Sequence, residues 1–97
     1  MYTILNAMNE VEFDGIKTSK LIEINATEIL SISLEKGKLL SKHTSPRDTH
    51  LLMLEGEISF HINDSSFIIN KYQVFDFPKE EEHWVEAKEN SKFLIIR

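Results

Sequence analysis

The chain contains no cysteine. A disulfide framework, a thiolate zinc site and a cysteine nucleophile are thereby excluded. Glycine and proline are scarce, limited to Gly15, Gly37, Gly56, Pro46 and Pro78. These two residue types make most sharp turns, so each of the five marks a place to read closely. No stretch approaches the ~20 apolar residues of a membrane-spanning helix. Residues 1–6 show no basic region ahead of an apolar run, so no secretory signal is expected. A cytoplasmic protein with no membrane partner follows as the expectation. Basic residues number 11 against 16 acidic ones, a net charge of −5. The lysines and arginines are scattered and form no patch or stripe, so nucleic acid is not an expected partner.

What is present suits one small domain over residues 1–97. Apolar residues make up 41% and charged residues 28%, an ordinary globular balance. Ile4, Leu5, Met8 and Val11 fall near a helical period and predict a short helix within residues 1–15. Beyond it the pattern is that of strands. Leu30, Ile32 and Leu34 alternate with Ser31 and Ser33, and Ile58, Phe60 and Ile62 alternate with Ser59, His61 and Asn63. Residues 51–54 and 93–96 are continuous apolar runs, as in strands covered on both faces. Turn-forming residues separate these runs at 35–38, 45–48, 55–56 and 63–66. Strands this closely spaced leave no interval for crossover helices, and the fold class is all-β, a barrel or sandwich.

The turn residues and histidines together make a specific frame. Gly37, His43, Ser45, Thr49 and Gly56 stand at intervals of 6, 2, 4 and 7 positions, and Pro78, Glu80 and His83 follow later. This spacing resembles the two motifs of the small single-domain cupins, at residues 37–56 and 72–87 of this chain. The resemblance implies a cupin-type jelly-roll β-barrel, a homodimer and a site between two sheets. It also implies a divalent metal (Fe, Mn, Ni, Zn or Cu) held by three histidines and a glutamate. In this chain His43 and His83 occupy the first and last ligand positions, but Ser45 replaces the second histidine and Thr49 the glutamate. Two motif glycines are replaced as well, by Tyr72 and Glu80.

First-row metals draw three or four ligands from imidazole, carboxylate or thiolate. Neutral hydroxyls ligate such ions poorly, so His43 and His83 alone make a weak, exchangeable site. His50 lies one residue past Thr49, where strand alternation turns it to the other face. Only a β-bulge would bring it inward as a third imidazole. His61 reads as a sheet-surface residue and Trp84 as facing away from His83. Glu80, Glu81 and Glu82 read as a solvated loop that would raise the His83 pKa if it lay close. Ser41, Ser45 and Thr49 have no histidine and aspartate at a triad spacing.

Two functional readings follow. In the first, a barrel pocket carrying His43, Ser45, Thr49 and His83 binds a small molecule, its metal site degenerate. In the second, the chain is a metal-dependent enzyme of the oxygenase or isomerase sort, using His43 and His83 with His50 as a conditional third ligand. The missing carboxylate favours the first.

Overall fold

The computed structural model describes residues 1–97. A single helical turn, α1 (Ala7–Glu10), precedes nine strands. These are β1 (Ile16–Ile24), β2 (Thr27–Leu34), β3 (Leu39–His43), β4 (Thr49–Glu55), β5 (Glu57–Ile62), β6 (Ser65–Asn70), β7 (Val74–Phe77), β8 (His83–Ala87) and β9 (Ser91–Ile96). All pairings are antiparallel. One sheet runs β1-β2-β9-β4-β7 and the other β3-β8-β5-β6, giving the expected all-β jelly roll. No helix is long and apolar enough to cross a membrane.

The expected helix shrinks to one turn. Ile4 and Leu5 lie before it and are exposed, and Asn6 provides no side-chain cap. Four residues without an apolar face to bury fall far below the length at which a helix sustains itself.

Strand alternation sends one set of side chains inward. Leu34, Leu51, Met53, Ile58, Phe60 and Phe93 are completely covered between the sheets. Each such side chain contributes about 1.5–3 kcal/mol on burial. The other set departs from the simple pattern in two ways. Leu52, Leu54, Leu94 and Ile96 are only half-buried, so the two continuous apolar runs are fully covered on one face alone. Ser31 and Ser33, which alternate with the core residues of β2, are buried as well. Met8 and Val11, from the segment before β1, lie with them around a common cavity. Lys92 fastens that segment by donating from Nζ to Met8 O at 2.7 Å. The Ser33 hydroxyl finds no hydrogen-bond partner, a deficit of about 1–3 kcal/mol.

Local geometry sets the turns. Asn63 and Asp64 both have positive φ and close the β5–β6 hairpin as a two-residue turn. Ser65 and Ser66, expected in that turn, already pair with Ile62 and His61 as strand. Gly56 has φ +87, and an added Cβ would stand 2.8 Å from Ser91 Cα. Only glycine fits there. In β1 the register slips between Lys20 and Ile22, so Leu21 is an extra residue.

Candidate functional site

The interior cavity has a volume of about 330 Å³. Its body is apolar, formed by Leu30, Ile32, Phe60, Phe93 and Ile95 among others. Its polar lining includes His43, Ser45, Thr49 and His83, which the motif frame had singled out. The two motif segments meet because β3 and β8 pair antiparallel, with His43 opposite His83. The loops bearing them are joined as well. Glu80 N donates to Ser45 O at 2.9 Å, and Lys79 N donates to the Asp48 carboxylate at 3.0 Å. Tyr72 and Glu80, which stand where the motif has glycine, keep the left-handed backbone, with φ of 70 and 65.

His83 is buried, whereas His43 is exposed at the end of β3. Their ring centroids are 4.3 Å apart in an edge-on arrangement. His83 also stacks on Phe60 at 5.2 Å and meets Phe77 at 4.6 Å. His83 Nδ1 lies 3.0 Å from Glu81 O, and His43 Nδ1 lies 2.7 Å from Ser41 O. A carbonyl oxygen only accepts, so Nδ1 carries the proton in both rings and a neutral ring keeps its lone pair on Nε2. Burial holds His83 below the usual histidine pKa range. The Glu81 carbonyl opposes that shift and the neighbouring His43 reinforces it. The rise expected from the nearby glutamates is thus reversed. Glu81 meets His83 through its backbone carbonyl and turns its carboxylate to Asn63 Nδ2 at 2.7 Å, while Glu80 and Glu82 are exposed.

Ser45 and Thr49 are buried and engaged with the protein. Ser45 Oγ and Thr49 Oγ1 are 2.9 Å apart, and each lies 2.9 Å from Arg47 O. Two hydroxyl hydrogens serve three contacts, so neither is left over as a donor. Ser45 Oγ also accepts from Arg97 Nη1 at 3.3 Å. The two residues therefore shape the cavity wall and seat Arg97.

Arg97 is a cavity residue that the motif frame missed, as is Thr18. The signal was present in β9, where Phe93 and Ile95 point inward and the same alternation carries position 97 inward. Arg97 Nε donates to Glu28 Oε1 at 2.8 Å. That bond, first among its causes, holds the Glu28 carboxyl below the usual range. Two of the five guanidinium N–H groups are used in these bonds and three remain.

His50 stays outside. The β4–β7 register runs unbroken from Thr49 to Leu52, and the irregularity in β4 falls later, between Met53 and Glu55. With no bulge at its position, His50 points to the outer face and pairs with Asp76 at 2.5 Å. A three-imidazole site from His43, His50 and His83 is not formed. His61 is also on an outer face, stacked flat on Trp84 at 3.6 Å, and Trp84 faces away from His83 as expected.

The divalent metal implied by the motif resemblance does not fit these residues. Nowhere do three His, Cys, Asp or Glu side chains gather closely enough to hold an ion. The interior offers two imidazole Nε2 lone pairs, two hydroxyls already engaged, and a fixed guanidinium charge 3.3 Å from Ser45, where a second ligand would stand. A cation at that place repels a dication.

Neither the models of known protein families nor the curated proteins give a match to this chain. Solved structures do. A conserved protein of unknown function from Streptococcus pyogenes superposes with TM-score 0.84 at 22% identity, over 99% of this chain and 86% of that one. A cupin superfamily protein from Desulfitobacterium hafniense gives 0.83 at 23% identity, over 95% and 84%. An RmlC-like cupin from Desulfovibrio desulfuricans gives 0.84 at 23% identity, over 99% and 95%. The fold is that of the small cupin barrels.

Proposed function

We propose that this cupin barrel is a cytoplasmic binding protein for a small, mostly apolar molecule with one anionic or hydrogen-bonding end. The reading rests on one juxtaposition: the free N–H groups of Arg97 share an apolar cavity with the Nε2 lone pairs of His43 and His83. At about 330 Å³ the cavity lies at the small end of the ~300–1,000 Å³ usual for ligand pockets. A small ligand would lay its body against Leu30, Ile32, Phe60 and Phe93, and its polar end would meet Arg97 and the histidines. Ser45 and Thr49 act by holding Arg97 and the loop in place.

Self-association belongs to the same proposal. The outer face of the five-stranded sheet carries Val74, 61% exposed, beside the half-buried Leu52, Leu94 and Ile96. That apolar stripe supports a homodimer.

The second reading, a metal-dependent enzyme, draws on the two free Nε2 lone pairs. Elemental analysis of untagged, dialysed protein, followed by titration with iron, nickel, manganese and zinc, separates the two. The binding-protein reading expects no stoichiometric metal and no thermal stabilisation by added ions. Stoichiometric metal that survives dialysis and disappears in His43→Ala or His83→Ala would overturn it. A screen of small carboxylic acids for shifts of the Thr49 and His83 amides tests the ligand, with Arg97→Met expected to abolish those shifts.

A further inference from the structure

The outer face of the five-stranded sheet holds a second cavity, of about 230 Å³, beneath the segment that precedes β1. We infer that this cavity is a second binding site, for a short-chain monocarboxylate held by Lys17, Ser33 and Lys92 and independent of the interior cavity.

Register places the three residues in one row. Lys17 of β1 is directly opposite Ser33 of β2, and Ser33 is directly opposite Lys92 of β9. Cross-strand partners share a face, so two lysines flank one serine. Each of the three has bonding capacity to spare. Ser33 is 5% exposed, and its hydroxyl is the one buried side-chain group in the chain without a partner. Lys17 and Lys92 have no carboxylate within 4 Å, although acidic residues outnumber basic ones in this chain. Lys92 spends one of its three N–H groups on Met8 O and lies over the Phe13 ring at 5.0 Å. Two donors remain on Lys92 and three on Lys17.

The rest of the cavity is not polar enough for a bare inorganic anion. Met8 and Val11 supply its apolar side chains. A carboxylate at the lysines with a short alkyl chain under Met8 and Val11 satisfies both halves. The volume equals that of seven or eight liquid waters at ~30 Å³ each, which limits the chain to a few carbons. A carboxylate bound there offers the buried Ser33 hydroxyl the acceptor it lacks.

The test is a residue-resolved NMR titration of the full chain with hexanoate, with hexanol and inorganic phosphate as controls. Saturable shifts of the Ser31, Ser33 and Lys92 amides are expected with hexanoate, at least tenfold weaker with either control. Binding to the interior cavity would instead move the amides of Thr49 and His83, so the two sites report separately. Lys92→Met is expected to weaken hexanoate at least tenfold. Because that change also frees the segment over the cavity, Lys17→Met is the second variant, expected to weaken binding several-fold with an unchanged spectrum. Ser33→Ala is expected to weaken binding and to raise Tm without ligand. No saturable shift at these three amides, equal affinity for hexanol, or no loss in Lys17→Met would overturn the proposal.

Discussion

The inner and outer faces of β2 and β9 are built from the same strands, one residue out of phase, and they treat charge and apolar surface in opposite ways. Inside, Phe93 and Ile95 are buried, and the single cation, Arg97, is matched by Glu28 at 2.8 Å. Outside, Leu94 and Ile96 are half-covered, and Lys92 has no acidic partner. Burial without open valences is what stabilises a fold. Open valences beside partial burial are what a ligand or a second chain can use. The interior confines its open valences to one corner, the three free Arg97 N–H groups and the two histidine Nε2 lone pairs, while the outer face leaves them on Ser33 and its lysines.

The sharpest way to break this contrast is truncation at adjacent positions of β9. Phe93→Ala is expected to cost about 3–5 kcal/mol in urea unfolding, and Leu94→Ala about 1 kcal/mol at protein concentrations too low for the proposed homodimer to form. Equal losses, with a concentration-dependent Tm for the parent chain, would mean that a second copy covers the outer face in solution.

The rims give the next contrast. Gly56→Ala must force a Cβ against Ser91 and hold a left-handed backbone, an expected loss of about 2–4 kcal/mol by thermal unfolding. Gly37 has a similar φ but open space around it, so Gly37→Ala should cost only about 1 kcal/mol. A smaller loss at Gly56 than at Gly37 would show that the β4–β5 turn has room to relax.

pH provides a third test. The folded-state pKa of His83 lies below that of the unfolded chain, so the unfolded state takes up the proton first. Stability through this residue is complete above the ordinary histidine pKa of about 6.5 and falls as pH drops from there toward the folded value. The slope cannot exceed about 1.4 kcal/mol per pH unit for one proton. Urea midpoints at pH 5, 6 and 7 should decline toward acid, and His83→Gln should flatten that decline. An unchanged slope in the variant would place the titration elsewhere.

The smallest effect concerns Glu80 and Tyr72. Both are exposed and hold left-handed φ, so each change to glycine should raise stability by about 0.5–1 kcal/mol. A loss at Glu80 would mean that its backbone bond to Ser45 depends on a stiff loop.

Much of this was legible in the residues. Period-two alternation placed Ile32, Leu34, Ile58 and Phe60 in the core, and the spacing from Gly37 to His83 led to the cupin barrel. His43 and His83 meet because motif spacing is a statement about which strands pair. Three things lay beyond that kind of reading. The burial of Ser31 and Ser33 depends on the path of a segment with no regular structure. The lowered pKa of His83 depends on how completely the folded chain buries its ring, which residue spacing does not give. Arg97 lies outside both motif segments, and only its phase in β9 pointed to it.

The extra residue Leu21 has a consequence for assembly. β1 closes one end of the five-stranded sheet, and an unpaired strand there is a template on which another chain can continue hydrogen bonding. The bulge between Lys20 and Ile22 interrupts that ladder and bends the strand midway. At this edge the interrupted ladder disfavours addition of a strand from a second molecule.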